Sequence, residues 1–342
     1  MGQKRCGGAY MAPPQRCDNI IPNALRVFFK SLPTSFSLAM HVTHGLKDAN
    51  LRYPTPTSTT MLPSLFVYAY LSISSAITLV NADAGKAIFL LAGQSNMAGR
   101  GGVVNDKWDG YVPPQSSPNP AILRLSADLN WQPATEPLHR DIDYFRACGV
   151  GPGMAFANSL IRQDSSIGTV GLVPCAVGGT NISEWARGGQ LYNQLIRRAE
   201  AAVEGGGTVQ GLLWYQGESD TVNREDAELY QRRLERFFDH VRHDLVLPAL
   251  PIIQVALASG AGPYIERVRE AQLGMWLVNL RTVDAMGLRL EPDRLHLTTT
   301  SQVTLGEMLA QAFPRDHLSP IISQASRTPP NYIFFCYLFF II

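Results

Sequence analysis

From residue 86 onward the apolar positions follow two patterns that alternate along the chain. Short, nearly unbroken apolar runs read as strands buried on both faces: Ala87-Ile88-Phe89-Leu90-Leu91, then residues 170–177, 209–215 and 251–257. Between and after them lie stretches of helical spacing. These cover 154–161, 190–203 with Leu191, Leu195 and Ile196 on one face, a charged amphipathic stretch over 225–241, 265–276, and 300–313 with a stripe of Leu305, Met308, Leu309 and Ala312. Strand alternating with helix in this way predicts an α/β fold, a central parallel sheet with helices on both faces. No internal repeat is visible.

The flanks break the pattern. Residues 1–60 have scattered prolines and no sustained period, and seven basic residues there (Lys4, Arg5, Arg16, Arg26, Lys30, Lys47, Arg52) face only Asp18 and Asp48. Residues 61–84 hold an uncharged apolar run over 62–80 followed by Ala82-x-Ala84, the small-residue spacing of a signal-peptide cleavage site. A chain begun at Met61 has the form of a secreted precursor. Begun at Met1, the same run is long enough to span a bilayer with the basic segment on the cytoplasmic side. The expectation is entry into the secretory pathway, secreted or anchored, with membrane contact through 62–80. A buried element and a cytoplasmic protein form the blander alternative. Residues 85–316 form the expected catalytic domain. The tail, 317–342, ends in an apolar stretch over 332–342 too short to cross a bilayer unaided.

Composition narrows the functional classes. The 342 residues are 46% hydrophobic and 17% charged, ordinary for a globular protein, and 29 Lys and Arg against 28 Asp and Glu give a net charge of +1. Such a balance offers no basic face, which argues against a nucleic-acid partner. The five cysteines form no Cys-x-x-Cys pair and no zinc-ligand pattern. Cys148 and Cys175 lie in the catalytic region and read as free buried thiols, or as a disulfide in an oxidising compartment.

Two blocks carry the chemistry. Gly93-Gln94-Ser95-Asn96-Met97-Ala98-Gly99 directly follows the first strand. A serine at a strand-to-helix turn sits at the carboxyl edge of the sheet, where open α/β folds bind ligands. The N–H groups of the following helix point at that spot, so such a serine suits attack on a carbonyl. The block is not the Gly-x-Ser-x-Gly elbow, because Met97 replaces its second glycine, and an N-cap serine would occupy the same place for local reasons. The second block, Glu291-Pro292-Asp293-Arg294-Leu295-His296-Leu297, precedes the last helix. Asp293 and His296, three residues apart on one loop, fit a general base and the carboxylate that fixes its tautomer. His139 is the competing histidine. A metal pair at Asp293 and His296 finds no further carboxylate or histidine nearby to support it, and no cofactor is expected.

Two further blocks stand at strand ends. Cys175-Ala176-Val177-Gly178-Gly179-Thr180 offers glycine N–H groups able to approach a substrate oxygen. Trp214-Tyr215-Gln216-Gly217-Glu218 offers the amide of Gln216 to the same oxygen.

Together the blocks Gly93-Gln94-Ser95-Asn96-Met97, Gly178-Gly179-Thr180, Trp214-Tyr215-Gln216-Gly217-Glu218 and Asp293-x-x-His296 resemble plant carbohydrate esterases of the sialate O-acetylesterase-like branch of the SGNH hydrolases. The resemblance covers residues 86–313. It implies a three-layer α/β/α sandwich of flavodoxin-like type and removal of O-acetyl groups from an acetylated carbohydrate. It also implies Ser95 as nucleophile with Asp293 and His296, and oxyanion donors at Ser95, Gly178 or Gly179, and Gln216. Gln94, Trp185, Arg187 and Glu218 are the residues it would place against substrate, Trp185 and Arg187 because they lie in the loop after the glycines. Acetyl transfer to another sugar, or binding of carbohydrate without hydrolysis, are the alternatives on the same fold. The sequon Asn181-Ile182-Ser183 adjoins the glycine loop, where a glycan would obstruct the site.

Overall fold

The computed structural model describes residues 85–314. The flanking expectations for 1–60, the apolar run over 62–80 and the apolar tail over 332–342 lie outside the described residues. Among the described residues no helix is long and apolar enough to cross a membrane.

In chain order the elements are β1 (Ala87–Gly93), α1 (Ser95–Ala98), a two-residue ribbon of β2 (Val103–Val104) and β3 (Lys107–Trp108), β4 (Ile122–Leu125), β5 (Trp131–Pro133), α2 (Gly153–Gln163), β6 (Val170–Pro174), α3 (Gln190–Val203), β7 (Thr208–Tyr215), α4 (Arg224–Asp244), β8 (Ile252–Ala256), α5 (Ile265–Gly274), β9 (Leu280–Asp284) and α6 (Thr299–Ala312). Seven strands form one sheet in the order β5-β4-β6-β1-β7-β8-β9. All neighbours pair in parallel except β5, which runs antiparallel on β4.

The expected α/β class and the main helices are present. The sheet has more strands than the apolar runs announced, because β4, β5 and β9 do not look buried in sequence. β4 carries Arg124 at its third position, yet Arg124 is buried: its Nε donates to Leu138 O at 2.9 Å and its guanidinium pairs with Asp141. β9 is an edge strand with Arg281 and Asp284 exposed.

Side-chain alternation on the strands builds a core on each face of the sheet. On one face Phe89 packs edge-on against Phe156 of α2 and against Phe313, with ring centroids 5.0 and 5.2 Å apart. On the other, Trp214 meets Trp185 at 5.1 Å and Phe237 of α4 at 4.5 Å. Helices therefore cover both faces, giving three layers.

The topology also selects a place for the site. After β1 the chain builds β4 and β6 on one side, then crosses to β7, β8 and β9 on the other. β1 is thus the point where strand order reverses, and the crevice outside its carboxyl end is where open α/β sheets bind ligands.

Candidate active site

At the end of β1 the chain turns sharply against β7. A side chain at Gly93 (φ +130°) would put its Cβ 2.0 Å from Tyr215 O, so glycine alone permits this approach. Gln94 N–H then donates to Tyr215 O at 2.8 Å, and Gln94 O accepts from Met97 and Ala98 N–H at 2.9 Å each, closing the single turn of α1. Ser95 opens that turn. No acceptor among the described residues takes its N–H.

The segment carrying Asp293 and His296 is a tight loop, fastened at its base. Leu290 and Leu297 bridge antiparallel, Glu291 N–H donates to His296 O at 2.7 Å, and Arg294 adopts the left-handed conformation (φ +59°) that turns the chain. Within it, Asp293 Oδ1 accepts the N–H groups of Leu295 (2.9 Å) and His296 (3.0 Å). Asp293 Oδ2 lies 2.6 Å from His296 Nδ1, and His296 Nε2 lies 2.9 Å from Ser95 Oγ. Burial pushes the Asp293 carboxyl upward, but those two N–H groups and the imidazole outweigh it and hold the carboxyl below its ordinary value. An ionised carboxylate only accepts, so Nδ1 carries the ring proton and Nε2 is left to accept from the serine hydroxyl. Ser95, His296 and Asp293 thus form one hydrogen-bonded line at the switch point.

The glycine loop supplies the opposite wall. Gly178 N–H donates to Asp143 Oδ2 at 3.1 Å, and the same carboxylate pairs with the Arg100 guanidinium, both partners being buried. A Cβ at Gly178 would sit 2.7 Å from Arg100 Nη2 and 3.4 Å from Ser95 Cβ, so the loop lies directly on the serine. With Gly178 N–H occupied, the neighbouring N–H of Gly179 has no acceptor among the described residues. Gln94, Ser95, Gly178, Gly179, Asp293 and His296 share one cleft of about 730 Å³.

Four expected site residues lie elsewhere. Gln216 is fully buried behind the cleft, and its Nε2 donates to Thr180 O (2.9 Å) and Asp220 Oδ2 (2.6 Å), with Oε1 of the cleft residue Gln94 3.3 Å away. Glu218 is also fully buried and accepts from Asn96 Nδ2 at 2.7 Å. Trp185 belongs to the aromatic core beside Trp214, where its indole N–H donates to Thr180 Oγ1 at 3.2 Å. Arg187 pairs with Asp244 at the end of α4. Trp185 and Arg187 find their partners on α4, in Phe237 and Asp244, whereas Gln216 and Glu218 are held behind the site by Thr180, Asp220 and Asn96. His139, the competing histidine, is buried beneath the sheet end with Nε2 3.4 Å from Leu91 O, and burial pushes it down to about 3. Cys148 and Cys175 are both free, and burial raises each thiol to about 11.

Asn96, Arg100, Asp143 and Phe145 are site residues that sequence reasoning missed. Asn96 had a local signal, standing beside Ser95 in the same block. Asp143 had none, since its partner Arg100 is 43 residues away.

Residues 85–315 match the family described as carbohydrate esterase, sialic acid-specific acetylesterase. The chain belongs to this family. It is accordingly a carboxylic ester hydrolase of the carbohydrate acetylesterase kind. Among relatives, a probable carbohydrate esterase of Arabidopsis thaliana is 56% identical over 235 residues, covering 66% of this chain and 89% of that protein. The X-ray structure of an Arabidopsis thaliana protein aligns with a TM-score of 0.65 at 55% identity, over 67% of this chain and 98% of that one. The crystal structure of NanS aligns with a TM-score of 0.56 at 17% identity, over 67% of this chain and 97% of that one, which is likeness of fold.

Proposed function

We propose that this acetylesterase removes O-acetyl groups from carbohydrates through a covalent intermediate on Ser95. The observation that carries the reading is the 2.9 Å contact between Ser95 Oγ and His296 Nε2, with Asp293 2.6 Å behind the imidazole. His296 Nε2 takes the hydroxyl proton as Oγ attacks the acetyl carbonyl, and Asp293 stabilises the imidazolium that forms. The N–H groups of Ser95 and Gly179 hold the oxyanion. Collapse of the tetrahedral species releases the sugar hydroxyl, which takes the proton back from His296. Water, deprotonated by His296, then attacks the acetyl-enzyme, and acetate leaves with Ser95 restored. The acceptor is water and the leaving group a sugar.

The test is acetate release from acetylated xylan and from p-nitrophenyl acetate by the full chain, beside its Ser95→Ala variant. The parent is expected to release acetate, and the variant to lose at least about a thousandfold in kcat. A folded parent inactive on both substrates, or a variant that keeps its rate, overturns the proposal.

A further inference from the structure

Two aromatic rings stand at the rim of the catalytic cleft with no described residue covering them. Tyr144 is 70% exposed and Phe145 73% exposed, and their centroids lie 4.2 Å apart with the planes tilted by 34°. A paired, solvent-facing Tyr and Phe leaves apolar area in water that a monomeric surface ordinarily buries or uses. The position of the pair is informative. Phe145 lines the cleft that holds Ser95 and His296, and it also lines a second cleft of about 730 Å³ on its other side, together with Tyr144. The two rings form a ridge shared by both clefts.

The ridge is anchored to the catalytic apparatus. The residue immediately before Tyr144 is Asp143, whose carboxylate holds both the Arg100 guanidinium and the Gly178 N–H. The backbone that carries the rings is therefore tied to the glycine loop. Beyond the ridge, the second cleft is lined by Ser183, Glu184, Gln190, Gln194 and Arg197. Ser183 and Glu184 are tied to Asn181 by the Ser183 hydroxyl and Glu184 Oε1, and the amides of Gln190 and Gln194 and the guanidinium of Arg197 complete a polar lining suited to paired hydroxyl groups. An aromatic face next to such polar groups matches a pyranose, which offers C–H bonds on its faces and hydroxyls around its edge. An acetyl group occupies a small part of one cleft, and each cleft has the size of a site for a larger molecule.

Resting on the esterase reading of the Ser95 site, we infer that the substrate is an extended glycan whose acetylated residue lies at Ser95 while neighbouring residues cross the Tyr144–Phe145 ridge into the second cleft. The ridge makes the enzyme selective for chain length. It binds several linked sugars, and a single acetylated monosaccharide fills only the catalytic side.

The test uses the full chain with acetylated xylo-, manno- and galacturono-oligosaccharides of one to six residues, with p-nitrophenyl acetate as the short ester. For at least one series, kcat/KM of the parent is expected to rise about tenfold or more from monosaccharide to hexasaccharide. Tyr144→Ala with Phe145→Ala should lose at least about tenfold more on that hexasaccharide than on p-nitrophenyl acetate, and Phe145→Trp should keep most of the preference. Calorimetric binding of the same hexasaccharides to Ser95→Ala, with and without the ring substitutions, reads the ridge independently of catalysis. Binding that depends on the rings in a protein that releases no acetate would sink the hydrolytic reading and leave this one standing. Rates and affinities that do not rise with chain length in any series, or an equal loss on long and short substrates, overturn the inference.

Discussion

Asn96 Nδ2 donates to Glu218 Oε1 at 2.7 Å, joining the residue next to the serine to a wholly buried carboxyl on the loop after β7. The same side chain reaches the histidine loop from both directions: Nδ2 also donates to Leu295 O at 3.2 Å, and Oδ1 accepts Leu297 N–H at 2.9 Å. His296 lies between those two anchors, so Asn96 sets its distance from Ser95. Asn96→Ala should lower kcat about 10- to 100-fold with little change in KM, since small misplacements of a reacting group have effects of that size. It should also lower the melting temperature, because Glu218 loses its donor while remaining buried. A variant that loses stability but keeps kcat would make Asn96 structural only.

Stability should depend on pH in a direction unusual for carboxylates. Burial raises Glu218 to about 7, and it is also the main force raising Asp220 to about 7. In the unfolded chain both titrate near their ordinary values of about 4. Below that range each is neutral in both states. From there up to about 7, the native protein keeps protons that the unfolded chain has released, so stability declines as pH rises through this window. Asp244 acts the other way. The Tyr192 hydroxyl first, then His243 and Arg187, hold it at about 2, so its contribution is lost as pH falls below the ordinary carboxylate range. Melting temperature should peak at mildly acid pH and fall as pH rises to about 7, and Glu218→Gln should flatten the fall. A melting temperature that climbs steadily to pH 8 would contradict the assignment.

The strands at the middle of the sheet were legible because burial on both faces leaves an unbroken apolar run, as in Ala87–Leu91. β4 was not, because its Arg124 is neutralised by Asp141, 17 residues further along, in a pairing no local pattern announces. The same asymmetry runs through the site. That Ser95, Asp293 and His296 would meet was readable, as the proposed chemistry requires particular residue types and two of them share one tight loop, and the three stand within hydrogen-bond reach. Trp185 and Arg187 were misplaced because a tryptophan and an arginine suit a sugar cleft and an aromatic core or an ion pair equally well. Only the fold reveals that Phe237 and Asp244 of α4 are their partners.

The Arg100–Asp143 pair behind the glycine loop should be sensitive to removal of one partner. Both groups are buried, and Asp143→Ala would leave an uncompensated guanidinium beside Cys148 and the Gly99 carbonyl. Losses of about 3–5 kcal/mol are typical for such a break, whereas replacing both partners by apolar residues is often tolerated. Arg100→Met with Asp143→Leu should therefore be more stable than Asp143→Ala alone in denaturant titrations. Its kcat should still fall below the parent's, since Gly178 N–H loses the acceptor that holds the loop on Ser95. Equal stability of the single and double variants would show that the charge is not what the pair contributes.

Gln216 provides the sharpest test of how the oxyanion is held. Its Nε2 has two hydrogens, and Thr180 O and Asp220 Oδ2 are the two closest acceptors, at 2.9 and 2.6 Å. Both hydrogens are engaged, Gln94 Oε1 is a third neighbour at 3.3 Å, and the side chain is completely buried. Removing a true oxyanion donor lowers kcat about 100- to 1000-fold without destabilising the protein. Gln216→Ala should behave in the opposite manner. Two buried acceptors would lose their partner, so the main effect is a drop in melting temperature, with kcat measured well below that temperature reduced by less than about tenfold. A stable variant whose kcat falls a hundredfold would instead place the Gln216 amide on the oxyanion, and would require its side chain to turn toward Ser95 when substrate binds.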